Sequence, residues 1–252
     1  WRADVLNRVK ISELAPYLKD RIHLAKAGVY SSLTFEAARA GVPDQAMAQT
    51  ALEELTAVVP QDLTESDLSS YSEASIRVST VRYRIAPIAS QGGAIQVATL
   101  PGDQPGQTCV LLTDKTHNQA HPLVSRCTFG IPAINSARLN ARGSAMVMAV
   151  TPTDGWQELW VFQHRDSGWT VDVLPPGVDV VLGYVEFAGF VPDLDQFLAV
   201  REVRTNGRFV RTFEVIDMAT LATQLHADAP TSIKAFYRWQ DATWKHQTLS
   251  LR

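Results

Sequence analysis

At 252 residues and 46% hydrophobic content, the chain can bury a substantial core, which excludes a disordered or fibrous protein. Its formal net charge is -3, with seven basic against ten acidic residues up to Ser70 and sixteen against sixteen beyond it. Neither part has the basic excess that binding a phosphate backbone requires, so nucleic acid is not an expected partner.

Residues 1–70 read as a helical segment. Ser12 can cap SELAPYLKDRIHLAKAG, where Leu14, Leu18, Ile22 and Ala25 recur at helical spacing and Gly28 supplies a stop. Pro16 is tolerable there because it falls in the first turn. A second helix is expected over SSLTFEAARAG, ending at Gly41, and a third over PDQAMAQTALEEL, opened by Pro43 with Ala48, Ala51, Leu52 and Leu55 as its stripe. Pro60 breaks the pattern, and Thr64 with Asp67 three residues on offers a capping-box start to a short fourth helix. The stretch SSLTFEAARAGVPDQAMAQTALEEL resembles a helical hairpin found ahead of the catalytic domain in some bacterial cell-wall metallopeptidases. The zinc-ligand motifs of those enzymes do not follow it here, so their activity is not carried over.

From Tyr71 to Arg252 the sequence reads as strands, beginning with SIRVSTVRYRIA and AIQVATL. Two further β-rich runs, TCVLLT and PLVSRCTF, flank the polar stretch DKTHNQAH, which reads as a hairpin loop. Folding that hairpin symmetrically about Asn118 puts Cys109 opposite Cys127, within the Cα separation that a disulfide tolerates. The alternative is a pair of small buried hydrophobes. A disulfide implies an oxidising compartment, so the expected location is periplasmic or secreted. No run reaches the ~18 to 20 apolar residues of a membrane helix, and none has the order of a signal peptide. The sequence begins at Trp1 without an initiator Met, which fits a leader or upstream segment that was removed.

Between Ala137 and Ala227 one arrangement is written twice. SAMVMAV, QELWVFQ and WTVDVLP follow one another after ARLNA, and QFLAVREV, FVRTFEVID and ATQLHA follow one another after YVEFAGFV. Each set predicts a four-stranded antiparallel unit. Second strands are expected to start at Ala94, Ser144, Gln196 and Lys245, a spacing close to fifty residues. GFVPDLDQFLAVREV with FEVIDMATL resembles a blade of the TolB-like and WD-type β-propellers, a likeness that runs as rhythm through residues 75–252. The resemblance implies propeller-like blades over 71–252, about three and a half of them, so that either upstream blades or a homo-oligomer would close the ring.

No Gly-x-Ser-x-Gly elbow, P-loop, dinucleotide fingerprint, His-Glu-x-x-His or Cys-x-x-Cys is present. Asp114, His117 and His121 sit on a loop, where His-x-x-x-His spacing does not converge two imidazoles as a helix would, so neither a metal nor another cofactor is expected. Trp156, Trp160 and Trp169 crowd one unit as packing between sheets, with Trp156 placed after the TPTDG turn to reach the surface. Glu186 and Arg201 interrupt strands and would face a propeller channel. Trp156, Glu186 and Arg201 are therefore the candidate ligand contacts. The expected function is a non-catalytic periplasmic binding or scaffold protein, associated with the envelope, whose ligand the sequence does not identify. Two alternatives stand beside it: a hydrolase or lyase with its site in the channel, and an oligomeric structural protein.

Overall fold

A computed structural model describes residues 1–42, 44–59, 63–85, 95–178, 182–205 and 208–247. Its N-terminal segment is organised around one long helix. Short α1 (Arg2–Asn7) leads to α2 (Pro16–Arg39), with Pro16 in the first turn and Ala15, not Ser12, at the N-cap. Gly28 does not stop α2, because its neighbours are helix formers and one mid-helix glycine costs only about 1 kcal/mol. The helix ends at Gly41, whose φ of 81° allows the chain to turn while Val42 N–H returns to the Ala37 carbonyl. Helix α3 (Gln45–Thr56) is capped by Asp44, which accepts from the Met47 N–H at 3.0 Å.

The capping box at Thr64 and Asp67 forms as expected, but the helix it opens is long. It continues as α4 (Glu65–Ile85) through the stretch SIRVSTVRYRI that read as a strand. Ser72 and Ser75 bond the carbonyls four residues back, which offsets the polar cost of burying them. Small side chains let the three helices approach closely. Ala27, Ala51, Leu55, Ala74 and Val78 form one buried cluster, and Ala38, Ala48 and Val81 another.

The remainder is mainly β. Strands β1 (Gln96–Pro101), β2 (Thr108–Thr113) and β3 (Val124–Thr128) form an antiparallel sheet of their own. In it Cys109 stands directly opposite Cys127 and the two form a disulfide, in the register expected from folding about Asn118. Short β4 (Ile131–Pro132) and β5 (Arg138–Leu139) pair with β6 (Ala145–Thr153), which pairs with β7 (Trp156–Arg165) and so leads to β8 (Gly168–Leu174). A second meander runs through β9 (Gly183–Val191), β10 (Gln196–Thr205), β11 (Arg208–Asp217) and β12 (Thr223–Ala227).

The core explains the order of these layers. Alternate residues of β6 and β7, such as Val147 and Val161, meet Val185, Phe197 and Ile216 of the second meander. The opposite face, including Met148, Trp160 and Phe162, is covered by Val110 and Leu112 of β2. Strand β6 is therefore apolar at both parities because it is buried on both sides. The outer face of the second meander is closed by Ile233, Phe236 and Trp244, from a segment that forms α5 (Lys234–Trp239) and α6 (Ala242–Gln247).

The propeller reading is overturned. The two four-stranded units do not stand as separate blades about an axis. A two-residue parallel pairing, Trp156 with Gly183 and Gln157 with Tyr184, joins them into one mixed nine-stranded sheet, which doubles over so that its halves pack face to face. Among the described residues no ring and no channel forms. Nor, among the described residues, does a further strand unit begin after β12: the AFYRWQDATWKH stretch forms most of α5 and α6, and Lys245 lies in α6. Of the other expected strand starts, Gln196 opens β10, Ser144 directly precedes β6, and Ala94 lies outside the described residues.

Candidate binding groove

The three residues expected to meet a ligand lie apart from one another, Trp156 and Glu186 buried and Arg201 partly exposed. Trp156 begins β7 just after Gly155, whose φ is 76°, and is 4% exposed. Arg201 grips both oxygens of Glu214 at 3.0 Å and donates to the carbonyls of Pro175 and Pro176 at 2.8 and 3.1 Å. It thereby ties the end of the first meander to the second. Glu186 is buried and accepts a 2.9 Å hydrogen bond from the Trp244 indole N–H. Cross-strand partners share a face, and Arg201 opposes Val185 while Glu186 opposes Val200, so the two charges project from opposite faces of β9 and β10.

A buried polar row runs across the second meander on the face of Glu186. Tyr184, Glu202 and Arg211 stand opposite one another on β9, β10 and β11, and the Tyr184 hydroxyl donates to Glu202 at 2.6 Å. Burial first, then the charges of Glu186 and Glu202, pushes the Tyr184 phenol well above its ordinary value, so it stays a protonated donor. Ile76 of α4 packs on Tyr184. Tyr71 of the same helix is raised by burial and by the charge of Glu202. Such a row, closed in by helices, fixes how the layers register.

Near Glu186 lies a cavity bordered by Ser136, Arg138, Leu159, Asp241 and Trp244. At about 20 Å³ it has room for a water or two and for no organic ligand. The loop holding Asp114 and His117 is occupied with its own turn. Asp114 accepts from the side chain of His117 at 2.9 Å and from the backbone N–H groups of Thr116 and His117, and these bonds hold its carboxyl well below the ordinary value. Among the described residues no group of three or more His, Cys, Asp or Glu side chains is placed to hold a metal ion.

A large concave feature lies on the helical layer. A groove of about 710 Å³ runs along α2 between α1 and the first turns of α4. Its floor is formed by Leu24, Ala25, Gly28, Val29 and Leu33, and its rim by Arg2, Arg21, Ser32, Asp67 and Ser70. Leu33 is 43% exposed, and Ala25, which the sequence pattern placed on a packing stripe, is exposed as well. Arg21 reaches Asp67 at 3.8 Å, and with 58% of its side chain exposed that ion pair is weak. The same Asp67 oxygen also accepts from the Thr64 hydroxyl at 2.6 Å in the cap of α4.

The groove escaped the sequence because its floor is defined by helix phase. Splitting α2 at Gly28 put Leu14, Leu18, Ile22 and Ala25 on the buried side. In the continuous helix the buried side carries Leu24, Ala27, Ser31, Thr34, Phe35 and Ala38. No protein-family model, no curated protein and no solved structure matches this chain.

Proposed function

We propose that this chain is a non-catalytic binding or scaffold protein of an oxidising, extracytoplasmic compartment, and that the groove along α2 is its recognition surface. The groove carries the reading: it has the volume of a ligand site, an apolar floor and a few polar groups at its rim. The β layers serve as the rigid body behind it. Their buried charges are engaged with one another, as Arg201 is with Glu214, and the disulfide fits an oxidising location. No described helix is long and apolar enough to cross a membrane.

In-cell photo-crosslinking tests the reading. A photoreactive residue at Ser32, on the groove rim, is expected to give a discrete adduct, while one at Asp166, in the exposed turn between β7 and β8, gives none. Equal capture at both positions, or none at Ser32, would contradict it.

A further inference from the structure

We infer that the occupant of the α2 groove is an amphipathic helix of another protein, with its apolar stripe on α2 and acidic residues against Arg2 and Arg21. This names a partner for the groove and rests on the reading of the groove as a recognition surface. Shape gives the first part. From Arg21 to Leu33 the floor extends about 18 Å, a little over three helical turns. Its central residues are small: a Cβ built on Gly28 meets nothing within 4 Å, and Ala25 and Ser32 flank that open space on the same side of α2. A ridge of side chains from a second helix can enter there at ordinary interaxial distance.

The backbone excludes an extended peptide as the better guest. The floor of the groove is the middle of α2, whose amides are already bonded within the helix, so it offers no sheet edge to which a strand could add. A helix brings its own backbone bonds and needs only an apolar face, which Leu24, Val29 and Leu33 would cover.

Charge gives the second part. Arg2 is exposed on one wall, and Arg21, more than half exposed, makes a long contact to Asp67. The rim thus presents two guanidinium groups against one carboxylate, an excess of positive charge. An acidic side chain gains a forked, charge-assisted partner there, whereas a lysine would meet like charge.

The test uses the full chain and two synthetic helical peptides of about 18 residues, long enough to hold a helix, one built from Leu, Ala and Glu and the other with Lys in place of Glu. The acidic peptide is expected to bind about tenfold more tightly than the basic one, with the preference shrinking as salt rises. Ala25→Trp, which fills the floor, abolishes binding, and Gly28→Leu does the same where the tryptophan perturbs folding. The double substitution Arg2→Glu with Arg21→Glu reverses the preference. Equal affinity for both peptides, a preference that survives the charge reversal, or binding unaffected by both floor substitutions would overturn the inference. Concentration-dependent dimerisation abolished by Ala25→Trp would overturn it in favour of a second copy as occupant. If neither peptide binds while Ser32 still crosslinks in cells, the acidic helix falls and the groove stands.

Discussion

Arg77 holds α4 to the tip of the β6–β7 hairpin. Its Nε and Nη2 donate to both oxygens of Asp154 at 2.6 to 2.9 Å, and its side chain is largely buried while Asp154 is about half exposed. The forked geometry is stronger than an ordinary surface pair, and the exposure of Asp154 weakens it. Arg77→Ala is therefore expected to lower stability by about 1 kcal/mol in urea unfolding. No change, or more than about 3 kcal/mol, would contradict the pairing as described. Asp114 makes a prediction in pH. Its bond from His117, followed by the backbone N–H of Thr116, depresses its carboxyl below the ordinary 3.8. A depressed acid stabilises the folded form above its unfolded value and loses that contribution as pH falls through the folded one. Amide protection at Thr116 and His117 should accordingly persist above about pH 5 and decline below about pH 4, and Asp114→Asn should flatten the profile. Protection that instead rises on acidification would be inconsistent with this turn. The cysteine pair was legible in the sequence because hairpin register is a matter of counting. Arg77 and Asp154 were not, since seventy-seven positions separate them and only the packed layers bring them together.

Elements differ in how openly they declare themselves. Strands β6 and β7, and the capping box of α4, could be read from local pattern. The length of α4 could not, because SIRVSTVRYRI alternates like a strand yet is held as helix by Ala74 and Val78 packing into the α2–α3 interface. Helices α5 and α6 were missed for a similar reason. The fifty-residue spacing put a strand start at Lys245, whereas Phe236 and Trp244 form the buried side of two short helices that cover β9 and β10. Gly189 makes that cover possible. At φ 144° it passes beneath the Trp239 carbonyl, which a Cβ would strike, and the Asp241 N–H donates to the neighbouring Ala188 carbonyl at 2.6 Å. Gly189→Ala is expected to cost roughly 2 to 3 kcal/mol and to speed amide exchange in 234–247 ahead of the sheet. Uniform exchange would show that these helices are not held there. The β2–β3 hairpin offers a separate check. No thiol should react in denatured, unreduced protein and two after reduction, and with the cysteines 18 positions apart reduction should cost about 3 kcal/mol. Two reactive thiols without reductant would remove the disulfide and, with it, the support for an oxidising compartment.

At the scale of the molecule, the repeated meander misled because local order does not fix assembly. Two four-stranded units of similar length are compatible with blades around an axis or with one sheet folded on itself. The choice was made by two parallel pairs at Trp156 and Gln157, and by residues such as Phe197 that bind the halves face to face. The expected channel vanished with the ring, and Glu186 and Arg201 became parts of the frame. The α2 groove lies on the helical layer, which is anchored to that frame by Ile76 on Tyr184, by Arg77 and by Arg204, which reaches Ser69 and Glu65 at 3.3 and 3.7 Å. The decisive measurement is the in-cell crosslink yield from Ser32 in the Ala25→Trp background, with melting temperature recorded alongside. Loss of the adduct at unchanged melting temperature is the expected result. An adduct formed as efficiently as before would place recognition elsewhere on the protein.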